Sequence, residues 1–96
     1  MKGNLIQRTI DSIKPKSKPY EIWDEKLTGF LVRVQPSGHL SYVVQYRHNK
    51  RLSLGKCSLL TPGQARDAAF ELISMARKGA SDDEIKRAAR PVEGLT

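Results

Sequence analysis

Ninety-six residues, 39% of them hydrophobic, support one small domain with a modest core rather than several. The formal charge is +7 and unevenly placed: residues 1–60 hold 11 Lys or Arg against 4 Asp or Glu, whereas residues 61–96 hold 6 against 6. Cys57 is the one cysteine, which excludes an intramolecular disulfide framework, and no apolar run nears the ~18 residues of a membrane-spanning helix.

The opening LIQRTIDSI places Leu5, Ile6, Ile10 and Ile13 at a spacing that fits one or two turns of amphipathic helix. It lacks the apolar core of a secretory signal, so a cytoplasmic protein is expected. Pro15 disfavours helical geometry at Lys14, and KPKSKP then reads as a basic, extended connector. Lys14, Lys16 and Lys18 suit either a phosphate-tracking arm or a solvated linker. Tyr20 to Trp23 is rich in β-formers and predicts a short edge strand before an Asp24-Glu25-Lys26 turn, with Trp23 in a packing role.

From Gly29 to Gly55 apolar and polar residues alternate through three short runs, and two turn signals join them: Pro36-Ser37-Gly38 and His48-Asn49. Successive strand residues point oppositely. The alternation therefore sets Phe30, Val32, Val34, Tyr42, Val44, Tyr46, Leu52 and Leu54 on one side and Arg33, Gln35, Ser41, Gln45, Arg47, Arg51 and Ser53 on the other. That second side shows three positive charges, amides and hydroxyls, and no carboxylate among them.

Thr61-Pro62-Gly63-Gln64 combines an N-cap threonine, a proline at the first helical position and a glutamine at the capping-box position, so a helix begins here. Ala65, Ala68, Ala69, Leu72 and Ala76 form its stripe toward the sheet, Phe70 and Ile73 lie on one flank, and Gly79 ends it after Arg77-Lys78. Ser81-Asp82-Asp83-Glu84 starts a second, short helix that Pro91 closes, ahead of a disordered PVEGLT tail. The fold class is α+β: a three- to four-stranded antiparallel sheet packed on one main C-terminal helix, with a short N-terminal helix.

Chemistry for catalysis is sparse. His39, His48 and Cys57 match no zinc spacing, Gly55-Lys56 lacks the preceding glycine of a phosphate-binding loop, and no nucleophile has an evident base. No metal, cofactor or catalytic residue is expected. The positive excess in the sheet-bearing half is the footprint of a nucleic-acid binder, although an anionic membrane or an acidic protein would use it too. Duplex DNA gives it a concrete geometry, since a twisted antiparallel sheet enters the major groove, where Arg reads guanine and Gln reads adenine. Arg33, Gln35, Gln45 and Arg47 are the candidates for base edges, with Arg51 and Ser41 in the same cluster. Lys50, Lys56 and Ser53, with Lys16 and Lys18 of the connector, are the candidates for phosphates. RNA is less suited, because the outward positions of Gly29 to Gly55 lack aromatic residues to stack bases. No strongly amphipathic basic helix suits a membrane.

The succession YEIWDEKLTGFLVRVQPSGHLSYVVQYR, then KRLSLGK, then LTPGQARDAAFELISMARKG resembles the N-terminal, arm-site-binding domain of tyrosine recombinases, the integrases of phages and genomic islands. The likeness covers about residues 9 to 82, and its most specific parts are WDEKLTGFLVRVQPSG and the coupling of a strand-ending LG to the QARDAA helix. It implies a short sheet on a helix, inserted in the major groove of arm-type sites in double-stranded DNA during integration or excision. It also implies a parent with separate core-binding and catalytic domains, so none of Tyr20, Tyr42 and Tyr46 is the recombinase nucleophile. The chain departs from the pattern at His39 and Leu40, where basic residues are common, at Cys57, where an aromatic is common, and at Asp83, where a proline is usual. The expected contacts therefore narrow to the strand centres. Residues 1–19 are expected to form the N-terminal helix and connector, 20–79 the arm-type DNA-binding domain, and 80–96 a short helix and linker toward the core-binding domain. The competing expectation is a protein interaction module, in which helix 61–78 contacts other recombinase subunits or accessory factors.

Overall fold

The computed structural model describes residues 2–89. In chain order they form β1 (Lys2–Gly3), α1 (Gln7–Asp11), β2 (Tyr20–Asp24), β3 (Phe30–Val34), β4 (Leu40–Arg47), β5 (Lys50–Lys56), α2 (Pro62–Arg77) and α3 (Asp82–Ala88). The sheet has five strands in the order β1-β2-β3-β4-β5. Its first pair is parallel and the others antiparallel.

Two expectations about the sheet are corrected. It is mixed rather than antiparallel, with one strand more than expected, because Lys2 and Gly3 pair with Trp23 and Asp24. That makes β2 an interior strand, not an edge. A two-residue strand carries no alternation to read, and it exists through its anchorage. Asp24, 4% exposed, accepts the Leu5 N–H on Oδ1 at 3.2 Å and the Leu27 N–H on Oδ2 at 3.0 Å. Arg66 of α2 donates from Nη2 to the Leu5 carbonyl at 2.9 Å and holds Nε 3.5 Å from Asp24 Oδ2. A buried charge so paired and hydrogen-bonded ties the N-terminal segment to both the sheet and the helix.

The hairpins form where their turn residues stand. Gln35 N–H donates to the His39 carbonyl, Gly38 N–H donates to the Gln35 carbonyl, and Asn49 adopts φ +60 between β4 and β5. Gly29, at φ +99, is required on a second count: a β-carbon there would lie 2.6 Å from the Gln45 carbonyl oxygen. β4 and β5 slip register between Tyr42 and Val43, and again between Gln45 and Arg47. Both slips move side chains from one face to the other.

One apolar core lies between the inner face of the sheet and the helices. Phe30, Val32, Val34, Tyr42 and Val44 are fully buried there, with Leu5, Ala65, Ala69 and Ile85. Phe30 and Tyr42 stack with ring centroids 5.8 Å apart. The larger of these side chains each contribute roughly 1.5 to 3 kcal/mol by leaving water. α2 starts at the expected capping box: Thr61 Oγ1 accepts the Gln64 N–H at 3.2 Å and Gln64 Oε1 accepts the Thr61 N–H at 3.0 Å. Of its flank residues, Ile73 joins the core, whereas Phe70 is 60% exposed. α1 is shorter than its sequence pattern, five residues from Gln7, with Leu5 buried just ahead of it. α3 has its own capping box at Ser81 and Glu84 and buries Ile85, so two C-terminal helices, not one, reach the core. The expectations for Pro91 and the PVEGLT tail lie outside the described residues.

Candidate nucleic-acid interface

The outer face is built by register. Glu21 pairs with Arg33 and Arg33 with Ser41, while Trp23 pairs with Leu31, Leu31 with Val43, and Val43 with Ser53. Gln45 pairs with Arg51. Leu31 is fully buried and Val43 is 8% exposed, although both face away from the main core. Their cover is a bridge of polar side chains. Arg51 donates from Nε to Gln45 Oε1 at 3.0 Å, lays its guanidinium 5.5 Å over the Trp23 ring, and donates from Nη1 to Glu21 Oε2. Arg33 Nη1 approaches the same carboxylate oxygen at 3.8 Å. β5 and β2 are three strand spacings apart, about 14 Å on a flat sheet. The long side chains of Arg51, Glu21 and Trp23 reach toward one another across that gap, above Leu31 and Val43. The arginine stem covers apolar surface while its charge stays at the water boundary.

Two expectations for this face are corrected here. It does contain a carboxylate, Glu21, which lies outside the window from Gly29 to Gly55. It also lacks the Arg47 head group. Arg47 donates from Nη1 to Asp82 Oδ1 at 2.7 Å and from Nη2 to the carbonyl of Ala80, with a longer bond of 3.4 Å to Ala76. Its guanidinium stands 5.8 Å from the Tyr46 ring centre, on the side of the α2–α3 junction. The register slip beside Gln45 breaks the alternation and redirects the residue. Asp82 also pairs with Lys50 Nζ at 3.4 Å. Partial desolvation of Asp82 favours the acid, but the hydrogen bonds from Arg47 and Lys50 outweigh it and hold the carboxyl below its ordinary value.

Of the other expected residues, Arg33, Gln45 and Arg51 come together in the bridge. Ser41 lies between Arg33 and Lys56, because the first slip sets Lys56 opposite Ser41 rather than on the inner face. Ser53 is exposed opposite Val43, and Gln35 sits past the end of β3, its backbone closing the turn. Lys16 and Lys18 are exposed on the connector, which runs into β2. Lys16 Nζ lies 4.6 Å from the Tyr20 ring centre, and the Tyr20 hydroxyl donates to the Lys14 carbonyl at 2.6 Å. The connector is thus fixed against Tyr20, whose side chain lies on the inner side of β2. Glu21 and Trp23 are the residues that sequence reasoning missed as parts of this face. The signal was the same alternation, since Tyr20, Ile22 and Asp24 point inward along β2.

Among the described residues no group of three or more His, Cys, Asp or Glu is placed to hold a metal ion. Cys57 is half-buried, and desolvation pushes its thiol up to about 11, which leaves it protonated at neutral pH. The Tyr42 hydroxyl donates to the Leu60 carbonyl, and burial raises its pKa further still. Among the described residues no helix is long and apolar enough to cross a membrane.

Residues 5–89 match the family described as "Arm DNA-binding domain". The chain belongs to this arm DNA-binding domain family. Such domains are found in tyrosine recombinases, the integrases, where they are non-catalytic modules that bind DNA. No curated protein matches the chain significantly. The matched span includes Leu5 and Ile85 of the apolar core.

Proposed function

We propose that the arm domain is the sequence-specific duplex-binding module of a cytoplasmic tyrosine recombinase, and that its outer sheet face enters the major groove at arm-type sites during integration or excision. The observation that carries this reading is the bridged outer face, where Arg33, Gln45 and Arg51 stand together with no helix over them among the described residues. Those three, with Gln35, Ser41 and Ser53 around them, face the base edges. Lys16, Lys18, Lys50 and Lys56 are exposed and take the phosphates, and the register sets Lys56 on this face beside Ser41. Arg47 is spent on the α2–α3 junction and supports the face without reading bases. The module positions DNA, and the bond-breaking residues belong to another domain of the parent protein.

Titration with duplex DNA at several salt concentrations tests the reading. Four lysine–phosphate contacts give a log–log slope of about −4, at about −0.9 per phosphate. Binding that ignores salt, or no binding, would sink it.

Phe70, 60% exposed on α2, favours a second, compatible reading in which this helix contacts another recombinase subunit or an accessory factor. Sedimentation at rising protein concentration with and without DNA reads that contact directly. A Phe70→Ser variant that behaves as the parent in both would remove it.

A further inference from the structure

We propose that Glu21 and Arg51 form a preassembled reader of a G·C base pair, and that Glu21 keeps phosphate away from the centre of the face. The inference rests on the duplex-binding reading above and adds to it a division of labour among the charged groups.

Arg51 is already ordered before any ligand arrives. Gln45 Oε1 holds its Nε, Glu21 Oε2 holds its Nη1, and the Trp23 ring supports its plane. Among the described residues its Nη2 amino group has no hydrogen-bond partner. An arginine whose rotamer is set in advance loses less freedom on binding than one recruited from solvent. Its remaining donors match the paired acceptors O6 and N7 of guanine.

Glu21 decides which acceptor Arg51 can take. A phosphate drawn to Arg51 would stand beside a carboxylate of the same sign, and that repulsion grows as water is squeezed out. Guanine offers neutral acceptors and meets no such penalty. Cytosine presents its N4 amino group as a donor in the same groove, and a glutamate is a suitable acceptor for it. Arg33, 3.8 Å away on the adjacent strand, offsets the carboxylate charge so that Glu21 does not repel the duplex as a whole. Glu21 is also less exposed than its partners, 24% against 44% for Arg33 and 40% for Arg51, so the guanidiniums lead toward the ligand. Among the described residues of the outer-face register, Glu21 carries the one carboxylate. A surface built only to attract polyanion has no use for it there.

The test uses the whole chain and random-sequence duplex, from which the parent's preferred sites are selected. Affinity and salt slope are then measured on one selected duplex and on the random pool. For Glu21→Gln we expect tighter binding to the random pool, a salt slope steeper by about one, and a selected-to-random ratio lower by about ten-fold. For Arg51→Ala a repeated selection should lose one G·C position while the others persist. Lys56→Ala should weaken both duplexes alike and flatten the slope by about one. Thermal unfolding of each variant alongside the parent separates misfolding from lost recognition, and Arg51→Lys supplies the point charge without the fork if Arg51→Ala fails to fold. A parent that binds no duplex overturns the duplex-binding reading and this inference with it. A parent that selects a site while Glu21→Gln keeps the ratio and slope, or Arg51 variants keep every G·C position, overturns the inference alone.

Discussion

The two faces of the sheet are buried by different means. On the inner face Phe30, Val32, Val34, Tyr42 and Val44 lie fully buried in one continuous apolar core with α2. On the outer face Leu31 and Val43 are buried too, yet they are roofed by Trp23, Gln45 and Arg51 rather than by a helix. The inner face thus gains most of its stability from apolar contact, with the Tyr42 and Asp24 hydrogen bonds beside it. The outer face gains less from contact and keeps its charged groups at the surface, where a polyanion can reach them. A sheet that covered both faces with helices would be more stable and would bind nothing through either.

That contrast gives an ordered set of outcomes. Phe30→Ala should cost about 3 to 5 kcal/mol, a large part of the roughly 5 to 15 kcal/mol that holds a small domain folded. Leu31→Ala should cost about 2 kcal/mol, the low end for a buried leucine, since the side chains roofing it can settle into the gap. Urea unfolding of both variants reads the pair. Equal losses would mean that the outer face is as much a core as the inner one.

The next outcome separates the two arginines that alternation had placed together. Arg47→Ala should lower stability by about 1 kcal/mol, after solvent screening, through the charge-assisted bonds to the Ala76 and Ala80 carbonyls. It should leave the preference among DNA sequences intact. Arg51→Ala should remove that preference, with a stability cost limited to the lost cover of Leu31 and Val43. Unfolding and binding measured on the same preparations would expose any exchange of these roles.

Acid should loosen the α3 clasp in a defined window. Because the folded carboxyl of Asp82 is held below its ordinary value, the clasp contributes fully above the ordinary value of 3.8 and is lost as pH falls through the lowered one. Asp82→Asn should remove that part of the acid dependence, as read by the pH profile of amide exchange in α3. The smallest effect concerns Cys57, whose raised pKa predicts slow alkylation by iodoacetamide at pH 8 and a rate that climbs toward pH 11. A rate matching that of a free thiol at pH 8 would show the site to be open to water.

Much of this was legible in the chain because the signals are local. The capping residues Thr61 and Gln64 start α2 where they stand, Gly38 and Asn49 turn the hairpins, and strict alternation names the inner residues from Phe30 to Leu54. Other features were not legible. β1 is two residues long and depends on the distant Asp24 and Arg66. Arg47 and Lys56 each follow a register slip, and a slip of one residue reverses every face assignment beyond it.

The sequence by itself determined the secondary elements, the inner apolar face and the positive excess of the sheet-bearing half, since propensity, capping and period act over a few residues. The tertiary structure decided which charges meet. The bridge that carries Arg51 over Trp23 to Glu21, and the slip that turns Arg47 toward Asp82, arise from pairing across strands and helices up to 35 residues apart. Coulomb and hydrogen-bond partners are set by distance in space, which no local pattern encodes.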